Sequence, residues 1–279
     1  MKKISRRSFM AAAAVSVAAL ALTACGGSSA NTASSVASSA ASSEAASTSA
    51  AAGELTTVEA GKLTMATNAA FPPYEMTTDS GEFEGIDIET AQAIADKLGL
   101  ELQIDDMDFD AALLSVQQGK ADIVMAGVTV TDERKAVMDF SDSYATGIQS
   151  IIVPEGSDIA SPDDLAGKMI GTQRGTTGYI YCSDDFGDDA VVAYDDGLTA
   201  VQALNNGQVD AVVIDNAPAK EFVAANPGLV ILDTSYAEED YAIGMAKGSS
   251  LEDAVNAALE ELKADGTLQS IVDKYITAE

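Results

Sequence analysis

The residue types best suited to chemistry stand together in one short stretch, AGVTVTDER at 126–134. Gly127 lets a ligand approach bare backbone, and Thr129 supplies a hydroxyl and an amide. Thr131 can cap a short helix whose first turn carries Arg134. An arginine beside the free N–H groups of a helix start can hold a carboxylate by two parallel hydrogen bonds. The stretch therefore indicates an anion site, the alternative being a surface arginine that pairs with a neighbouring acid.

The composition excludes several other kinds of chemistry. The chain has 279 residues, enough for one large or two ordinary domains, and includes no histidine and two cysteines. This excludes a Ser-His-Asp or Cys-His catalytic unit, a His-ligated metal and a Cys-rich zinc site. The formal net charge of −29 gives a surface that repels phosphate backbones and anionic headgroups. We therefore predict no cofactor, no metal and no nucleic-acid partner.

The first residues are predicted to direct export and anchoring. Basic residues precede an apolar, Ala-rich run from Phe9 to Leu22, which is too short to span a bilayer comfortably. Residues 1–24 are therefore predicted to be a signal peptide, by a Sec or a twin-arginine route. The sequence LTAC ending at Cys25 resembles the lipobox of bacterial lipoproteins, which implies lipidation of this cysteine and a membrane anchor. Residues 25–53 then form the lipidated Cys and a Ser/Ala-rich flexible tether.

The elements that must position a site follow the tether. Short β-rich runs alternate there with helical patterns, which is typical of an α/β fold with a largely parallel sheet. The helix-Gly-Asp-strand pattern of residues 111–125 returns in residues 199–213. Any two helix-to-strand units in α/β proteins look alike, but a true repeat indicates two lobes of similar design. Open α/β sheets bind ligands beyond the carboxyl ends of their strands, so two such edges facing each other would form a cleft.

Several segments together resemble a known family. The stretch 126–141 is similar to the signature of the polar amino-acid-binding proteins that feed bacterial ABC importers, extracellular solute-binding protein family three. The resemblance covers about Leu63 to Tyr275. Further matches occur in chain order: NAAFPPYE at 68–75, GIDI at 85–88, MDF at 107–109, GTQRGTT at 171–177 and DAVVID at 210–215.

The resemblance implies an α/β, two-lobed fold of the type II periplasmic-binding-protein-like class. Each lobe is expected to be a mixed, mainly parallel sheet flanked by helices, and two hinge strands join them, near Ile148–Val153 and Asp240–Gly244. The expected boundaries are 54–149 and 241–279 for lobe 1, and 150–240 for lobe 2.

The resemblance also implies the ligand-binding residues. Arg134 would clamp the α-carboxylate of an amino acid with the Thr129 amide, and Asp215 would hold the α-ammonium with the Gly127 carbonyl and the Thr129 hydroxyl. Two phenylalanines would sandwich the ligand side chain, unless they only pack the core, and Asp215 could instead cap a helix. The full expected set is Asn68, Phe71, Phe109, Gly127, Thr129, Arg134, Gln173, Thr176, Thr177 and Asp215.

The nature of the ligand side chain stays open at this point. A neutral residue at Asn68 argues against a cationic side chain. Arg174 would favour an acidic ligand if it faced the cleft, and a polar neutral one, such as glutamine or cystine, if it faced outwards.

The expected function is therefore binding without catalysis. The protein would be the substrate-binding component of an ABC importer, capturing a free amino acid and delivering it to the permease subunits. It would be a monomer, exported, extracytoplasmic and lipid-anchored to the cell membrane. The alternatives are a cyclohexadienyl-type dehydratase on the same scaffold, with Glu75 or Asp215 as general acid, or a ligand-sensing domain for a membrane receptor.

Overall fold

The structure, a computed structural model, describes residues 55–276. The predicted signal peptide, tether and lipidated Cys25 lie outside these residues. Within them, no helix is both long and apolar enough to cross a membrane. The strands are β1 (Lys62–Thr67), β2 (Ala70–Phe71), β3 (Glu75–Thr77), β4 (Phe83–Glu84), β5 (Glu101–Asp106), β6 (Ile123–Val124), β7 (Met138–Phe140), β8 (Ala145–Pro154), β9 (Ile170–Gln173), β10 (Val191–Tyr194), β11 (Ala211–Asp215), β12 (Leu229–Ile231), β13 (Ala237–Tyr241) and β14 (Gly244–Ala246).

The helices alternate with the strands, as the sequence pattern predicts. Two short 3-10 turns, Pro162–Leu165 and Asp188–Ala190, complete the set. The α-helices are α1 (Ile86–Leu98), α2 (Phe109–Gln117), α3 (Asp132–Lys135), α4 (Thr177–Phe186), α5 (Gly197–Asn205), α6 (Asn216–Ala225), α7 (Glu252–Ala264) and α8 (Thr267–Tyr275).

The first large sheet has the strand order β5-β1-β6-β14-β7. Strands β5, β1 and β6 are parallel, and β14 runs antiparallel to both of its neighbours. Helices α1 and α2 contact this sheet, and α7 and α8 pack on α1. We call residues 55–140 and 244–276 the first lobe.

The second large sheet repeats this design. Its order is β10-β9-β11-β8-β12, with β13 also pairing with β8. Strands β10, β9 and β11 are parallel, and β8 is antiparallel to its partners. Helices α4, α5 and α6 contact the sheet. We call residues 145–241 the second lobe. The predicted architecture of two mixed, mainly parallel sheets flanked by helices is thus present.

The chain passes between the sheets twice, at residues 141–144 and 242–243. The two passages are side by side, since the backbone N–H of Tyr144 donates to the carbonyl of Tyr241 over 3.0 Å. The segment Ile148–Val153, expected to cross between lobes, pairs along its length with strands of the second sheet. The lobe boundaries taken from the sequence remain a prediction.

The local sequence explains why α1 lies where it does. Its apolar residues recur at helical spacing and are buried against the sheet, and Gly99 ends the helix in the left-handed conformation that glycine favours. At the other end, a Cβ on Gly85 would lie 2.2 Å from the Tyr74 carbonyl oxygen, so only glycine allows the helix start to approach that turn. Buried apolar residues of both lobes, such as Ile123 and Val212, belong to one continuous core.

Candidate functional site

Five of the six parallel strands of the two large sheets end near one cavity. Its lining residues follow the carboxyl ends of β1, β5 and β6 in the first lobe and of β9 and β11 in the second. This is the edge at which open α/β sheets bind ligands. The cavity is narrow, with about 10 Å³ open to the centre of a water-sized sphere, and is lined by Asn68, Phe71, Glu75, Phe109, Ala126, Gly127, Thr129, Arg134, Gln173, Thr176, Thr177 and Asp215. The structure therefore brings all ten predicted residues together.

Arg134 is a buried side chain and not a surface one. Thr131 caps α3 by accepting a hydrogen bond from the Arg134 backbone N–H over 3.2 Å, which fixes the start of the side chain. The guanidinium donates to the Thr129 carbonyl over 2.7 Å and, across the lobes, to the Gly175 carbonyl over 3.1 Å. It lies 5.4 Å from the centre of the Phe109 ring. The predicted alternative, a pair with an adjacent acid, does not occur among the described residues.

The Arg134 guanidinium keeps donors to spare. A guanidinium has five N–H groups, and the described residues accept from two of them. Burial lowers the pKa of the guanidinium, while the charge of Glu239 acts in the opposite direction. The free N–H groups can therefore form the two-point contact with a carboxylate that planar guanidinium groups favour.

Asp215 supplies the opposite charge from the second lobe. It ends β11 and stands at the position before α6, but its side chain makes no capping bond there. The carboxylate instead accepts from Gln149 Nε2 over 2.8 Å and from the Tyr241 hydroxyl. Burial raises the pKa of this carboxyl to about 6, and the charge of Glu239 adds to the rise. A positively charged ligand group beside this buried carboxylate would stabilise its ionised form.

Gly127 brings bare backbone to the cavity wall. It has a φ of +56°, and a Cβ there would lie 2.8 Å from Cε1 of Phe71. Its backbone N–H donates to Asp87 over 3.0 Å, in the first turn of α1. Glycine is therefore needed both for the conformation and for the close packing of the Phe71 ring.

The two lobes meet across the cavity through a pair of amides. Gln173 Nε2 donates to Asn68 Oδ1 over 2.8 Å, and Asn68 Nδ2 donates to the Met107 carbonyl over 2.9 Å. Arg174, next in the chain, has a side chain that is 51% exposed and bonded to Asp195. It faces away from the cavity, which answers the question that the sequence left open.

The start of α4 contributes two threonines. Thr176 is the N-cap and accepts from the Tyr179 backbone N–H over 3.3 Å. Thr177 is buried, and its hydroxyl donates to Glu239 over 2.9 Å. The helix N-terminus thus faces the cavity with its partial positive charge.

Several buried polar residues around the cavity escaped the sequence analysis as part of the site. Glu239, on β13, accepts from Thr129, Gln149 and Thr177. The one sequence signal for Glu239 was the alternation along β13, which places Glu239 and Tyr241 on the buried face and the residue between them on the exposed face.

Glu75 lines the cavity and is fully buried. Burial, together with the charge of Asp87, holds the pKa of Glu75 well above its usual range, and neither carboxyl oxygen of Glu75 has a hydrogen-bond partner among the described residues. Asp87 also accepts from the Tyr144 hydroxyl over 2.8 Å.

The site combines a guanidinium, a buried carboxylate and two aromatic rings in a closed space between lobes. Such a site can hold a small dipolar ion, because each ligand charge meets an opposite fixed charge when water is excluded. Across residues 55–276, no group of three or more His, Cys, Asp and Glu side chains is arranged to hold a metal.

These features define a two-lobed solute-binding protein. The family model of the bacterial extracellular solute-binding proteins, family 3, matches residues 63–278, and the chain belongs to this family. Members bind solutes and are not enzymes, which confirms the prediction of a non-enzyme and leaves the dehydratase alternative without support.

The chain is similar to characterised relatives over most of its length. It is 33% identical over 226 residues to the L-cystine-binding protein TcyJ of Escherichia coli (strain K12), covering 79% of this chain and 85% of that protein. It is 33% identical over 230 residues to the arginine-binding extracellular protein ArtP of Bacillus subtilis (strain 168), covering 78% and 87%.

The fold also matches a solved structure. The arginine-, lysine-, histidine-binding protein ArtJ of Geobacillus stearothermophilus superposes with a TM-score of 0.75 at 34% identity, covering 78% of this chain and 96% of that one. The predicted periplasmic-binding-protein-like fold class is confirmed.

Proposed function

We propose that the protein captures a free amino acid between its lobes and delivers it to the permease subunits of an ABC importer. The observation that carries this proposal is that Arg134 and Asp215, from separate lobes, line one closed cavity. The three relatives named above are amino-acid-binding proteins, and the names of two of them include arginine.

The ligand backbone would be held at both ends. The free N–H groups of Arg134, the Thr129 amide and the turn at Thr176 and Thr177 receive the α-carboxylate. The Asp215 carboxylate, the Gly127 carbonyl and the Thr129 hydroxyl receive the α-ammonium. Since each charged end is held by residues of both lobes, with Arg134 and Asp215 on opposite sides, a ligand that lacks either end stabilises closure less.

The ligand side chain is most consistent with a basic amino acid. Among the described residues that line the cavity, Arg134 is the one cation, while the acid Asp215 lines the opposite side and the acid Glu239 lies just behind the wall. A ligand with a net positive charge would balance this excess. The rings of Phe71 and Phe109 would cover the stem of its side chain.

The structure does not support two sequence-based indications about the ligand side chain. The side-chain amide of Asn68 is hydrogen-bonded to Gln173 and to the Met107 carbonyl, so its lack of charge does not indicate the charge of the ligand side chain. Arg174 faces outwards, which removes the reason to expect an acidic ligand. The polar neutral ligands glutamine and cystine remain the alternatives.

Closure would occur by bending at the two passages between the sheets, residues 141–144 and 242–243. In the closed form described here, the bonds from Arg134 to Gly175 and from Gln173 to Asn68 join the lobes. A permease can recognise such a closed form, because only closure brings both lobe surfaces into one fixed arrangement.

We also propose that the protein is exported and held at the membrane. Residues 1–24 would be removed as a signal peptide, and lipidated Cys25 would anchor the domain through the tether of residues 25–53. Each buried acyl methylene contributes roughly 0.8 kcal/mol, so several acyl carbons suffice to retain a soluble domain at the surface.

A thermal-shift screen against the common amino acids, followed by calorimetry, tests the function. A cognate ligand at a hundredfold its dissociation constant stabilises by about 2.7 kcal/mol, which corresponds to roughly 5–10 °C for a domain of this size. Arg134→Ala should abolish the shift, and Arg174→Ala, an exposed arginine near the same cleft, should preserve it. No shift with any amino acid, or an unchanged affinity in Arg134→Ala, would overturn the proposal.

A further inference from the structure

Glu239 is a buried acid for which the proposed ligand contacts give no role. Its side chain is on the inward face of β13 and the residue is 7% exposed. One carboxylate oxygen, Oε2, accepts three hydrogen bonds: from Thr129 Oγ1 over 3.2 Å, from Gln149 Nε2 over 3.0 Å and from Thr177 Oγ1 over 2.9 Å. Two of these donors line the cavity.

The position of Glu239 relative to Thr129 is fixed by the backbone. The Val130 N–H donates to the Asp240 carbonyl over 3.0 Å, and the Ala242 N–H donates to the Val128 carbonyl over 3.1 Å. These two bonds flank the backbone pair of Thr129 with Tyr241, which holds Glu239, two residues before Tyr241 on β13, beside Thr129. The contact is therefore pre-organised and does not depend on a flexible side chain finding its partner.

In the contact between Thr129 and Glu239, the hydroxyl donates and the carboxylate accepts. A hydroxyl carries one hydrogen and two lone pairs, and an ionised carboxylate accepts only. When Thr129 gives its hydrogen to Glu239, its oxygen is left as an acceptor. An ammonium group has donors only, so it requires acceptors on the cavity wall.

Thr177 is oriented by the same carboxylate. Its hydroxyl hydrogen goes to Glu239, so the hydroxyl cannot compete for the acceptors that an ammonium needs. Glu239 also provides the largest favourable charge interaction of buried Arg134. One acid thus acts on residues that serve both ends of the ligand.

We propose that Glu239 is a positioning residue that sets the hydrogen-bond polarity of the ligand site, by holding the Thr129 hydroxyl so that its oxygen accepts from the ligand ammonium. This inference rests on the proposed function, since it takes an α-amino acid as the ligand. Without an acceptor at position 239, the Thr129 hydroxyl would be free to turn its hydrogen towards the cavity and repel the ammonium.

The experiment compares a ligand with and without its α-amino group. Calorimetry would use L-arginine and 5-guanidinopentanoic acid, which is arginine lacking that group; if the wild-type protein binds L-glutamine instead, L-glutamine and 4-carbamoylbutanoic acid take their place. Glu239→Met removes the acceptor at similar volume, and Glu239→Gln removes the charge but keeps an acceptor oxygen. Glu238→Gln, on the exposed face of the same strand, is the matched control.

We expect Glu239→Met to lower the preference for the amino acid over its analogue by tenfold to a hundredfold, and Glu239→Gln to lower it much less. Glu238→Gln should keep the wild-type preference. Adding Thr129→Val to Glu239→Met should cost little more, because both changes remove the same oriented acceptor. Should Glu239→Met fail to fold, Glu239→Asp, one methylene too short to reach Thr129, takes its place in the cycle.

Equal losses for both compounds would show that Glu239 only supports the fold and would overturn the inference. The inference would also be overturned if Glu239→Met kept the wild-type preference for the amino acid over its analogue. The same holds if the loss in the double variant equalled the product of the losses in the two single variants. These results are separate from a failure of the proposed function, in which the wild-type protein would bind no amino acid at all.

Discussion

Ligand affinity should fall steeply below pH 6, because a proton and the ligand ammonium compete for Asp215. Burial raises the pKa of this carboxyl to about 6 in the ligand-free protein, and the ammonium requires its ionised form. Above pH 7 the carboxylate is ionised with or without ligand, so affinity should not depend on pH. Below pH 6 the ligand must displace a proton.

The size of the effect follows from linkage. Displacement of one proton weakens binding about twofold at pH 6 and about elevenfold at pH 5, approaching tenfold per pH unit. Calorimetry between pH 5 and 8, in buffers of different ionisation enthalpy, measures both the affinity and the number of protons released. We expect close to one proton per ligand at pH 5 and almost none at pH 8.

Control variants separate Asp215 from the other acids near the cavity. Burial also raises the pKa of Asp87 to about 6 and holds that of Glu75 well above its usual range. Asp87 accepts from the Gly127 backbone, and Glu75 lines the cavity. Asp215→Asn should bind weakly and without this pH dependence, whereas Glu75→Gln should retain it. Affinity that is constant from pH 5 to 8, or that rises as the pH falls, would refute the reasoning.

Other consequences can be measured independently. Asp215→Asn should raise the free energy of unfolding of the ligand-free protein by up to about 3 kcal/mol at pH 8 and by little near pH 4. The reason is that the folded-state pKa of Asp215 is raised, so this carboxyl destabilises the wild-type protein increasingly as the pH rises towards 6. Urea unfolding at both pH values checks this, and equal effects at the two would contradict it. Gly127→Ala should destabilise by about 1–2 kcal/mol and weaken binding, since its φ is +56° and the Phe71 ring occupies the Cβ position; unchanged melting and affinity would argue against the close packing. Cys25→Ser should move the protein from the membrane fraction to the soluble fraction in a cell fractionation, and retention at the membrane would exclude lipidation as the anchor.

The sequence could predict the parts of the site that depend on local chemistry. Gly127 and Arg134 stand in a stretch whose residue types already indicate an anion site, and Asp215 follows a buried strand. Because parallel strands end at the same edge of a sheet, residues after those strands converge without further information. The alternation of strand and helical patterns was likewise enough for the α/β class.

The sequence could not reveal contacts that depend on distant pairing. Glu239 becomes part of the site only because β13 pairs with β8 and returns beside Thr129, 110 positions earlier in the chain. The outward direction of Arg174 depends on the turn that follows β9. The raised pKa of Glu75 arises from burial in the folded protein, which the residues beside Glu75 in the sequence do not indicate.

The most direct test of the account compares L-arginine with two analogues that each lack one end of its backbone. Agmatine has no α-carboxylate, and 5-guanidinopentanoic acid has no α-ammonium. We predict that wild-type protein binds each analogue at least a hundredfold more weakly than the amino acid, which corresponds to about 2.7 kcal/mol. Calorimetry that finds either analogue bound as tightly as the amino acid would contradict the claim that Arg134 and Asp215 jointly hold a dipolar ligand.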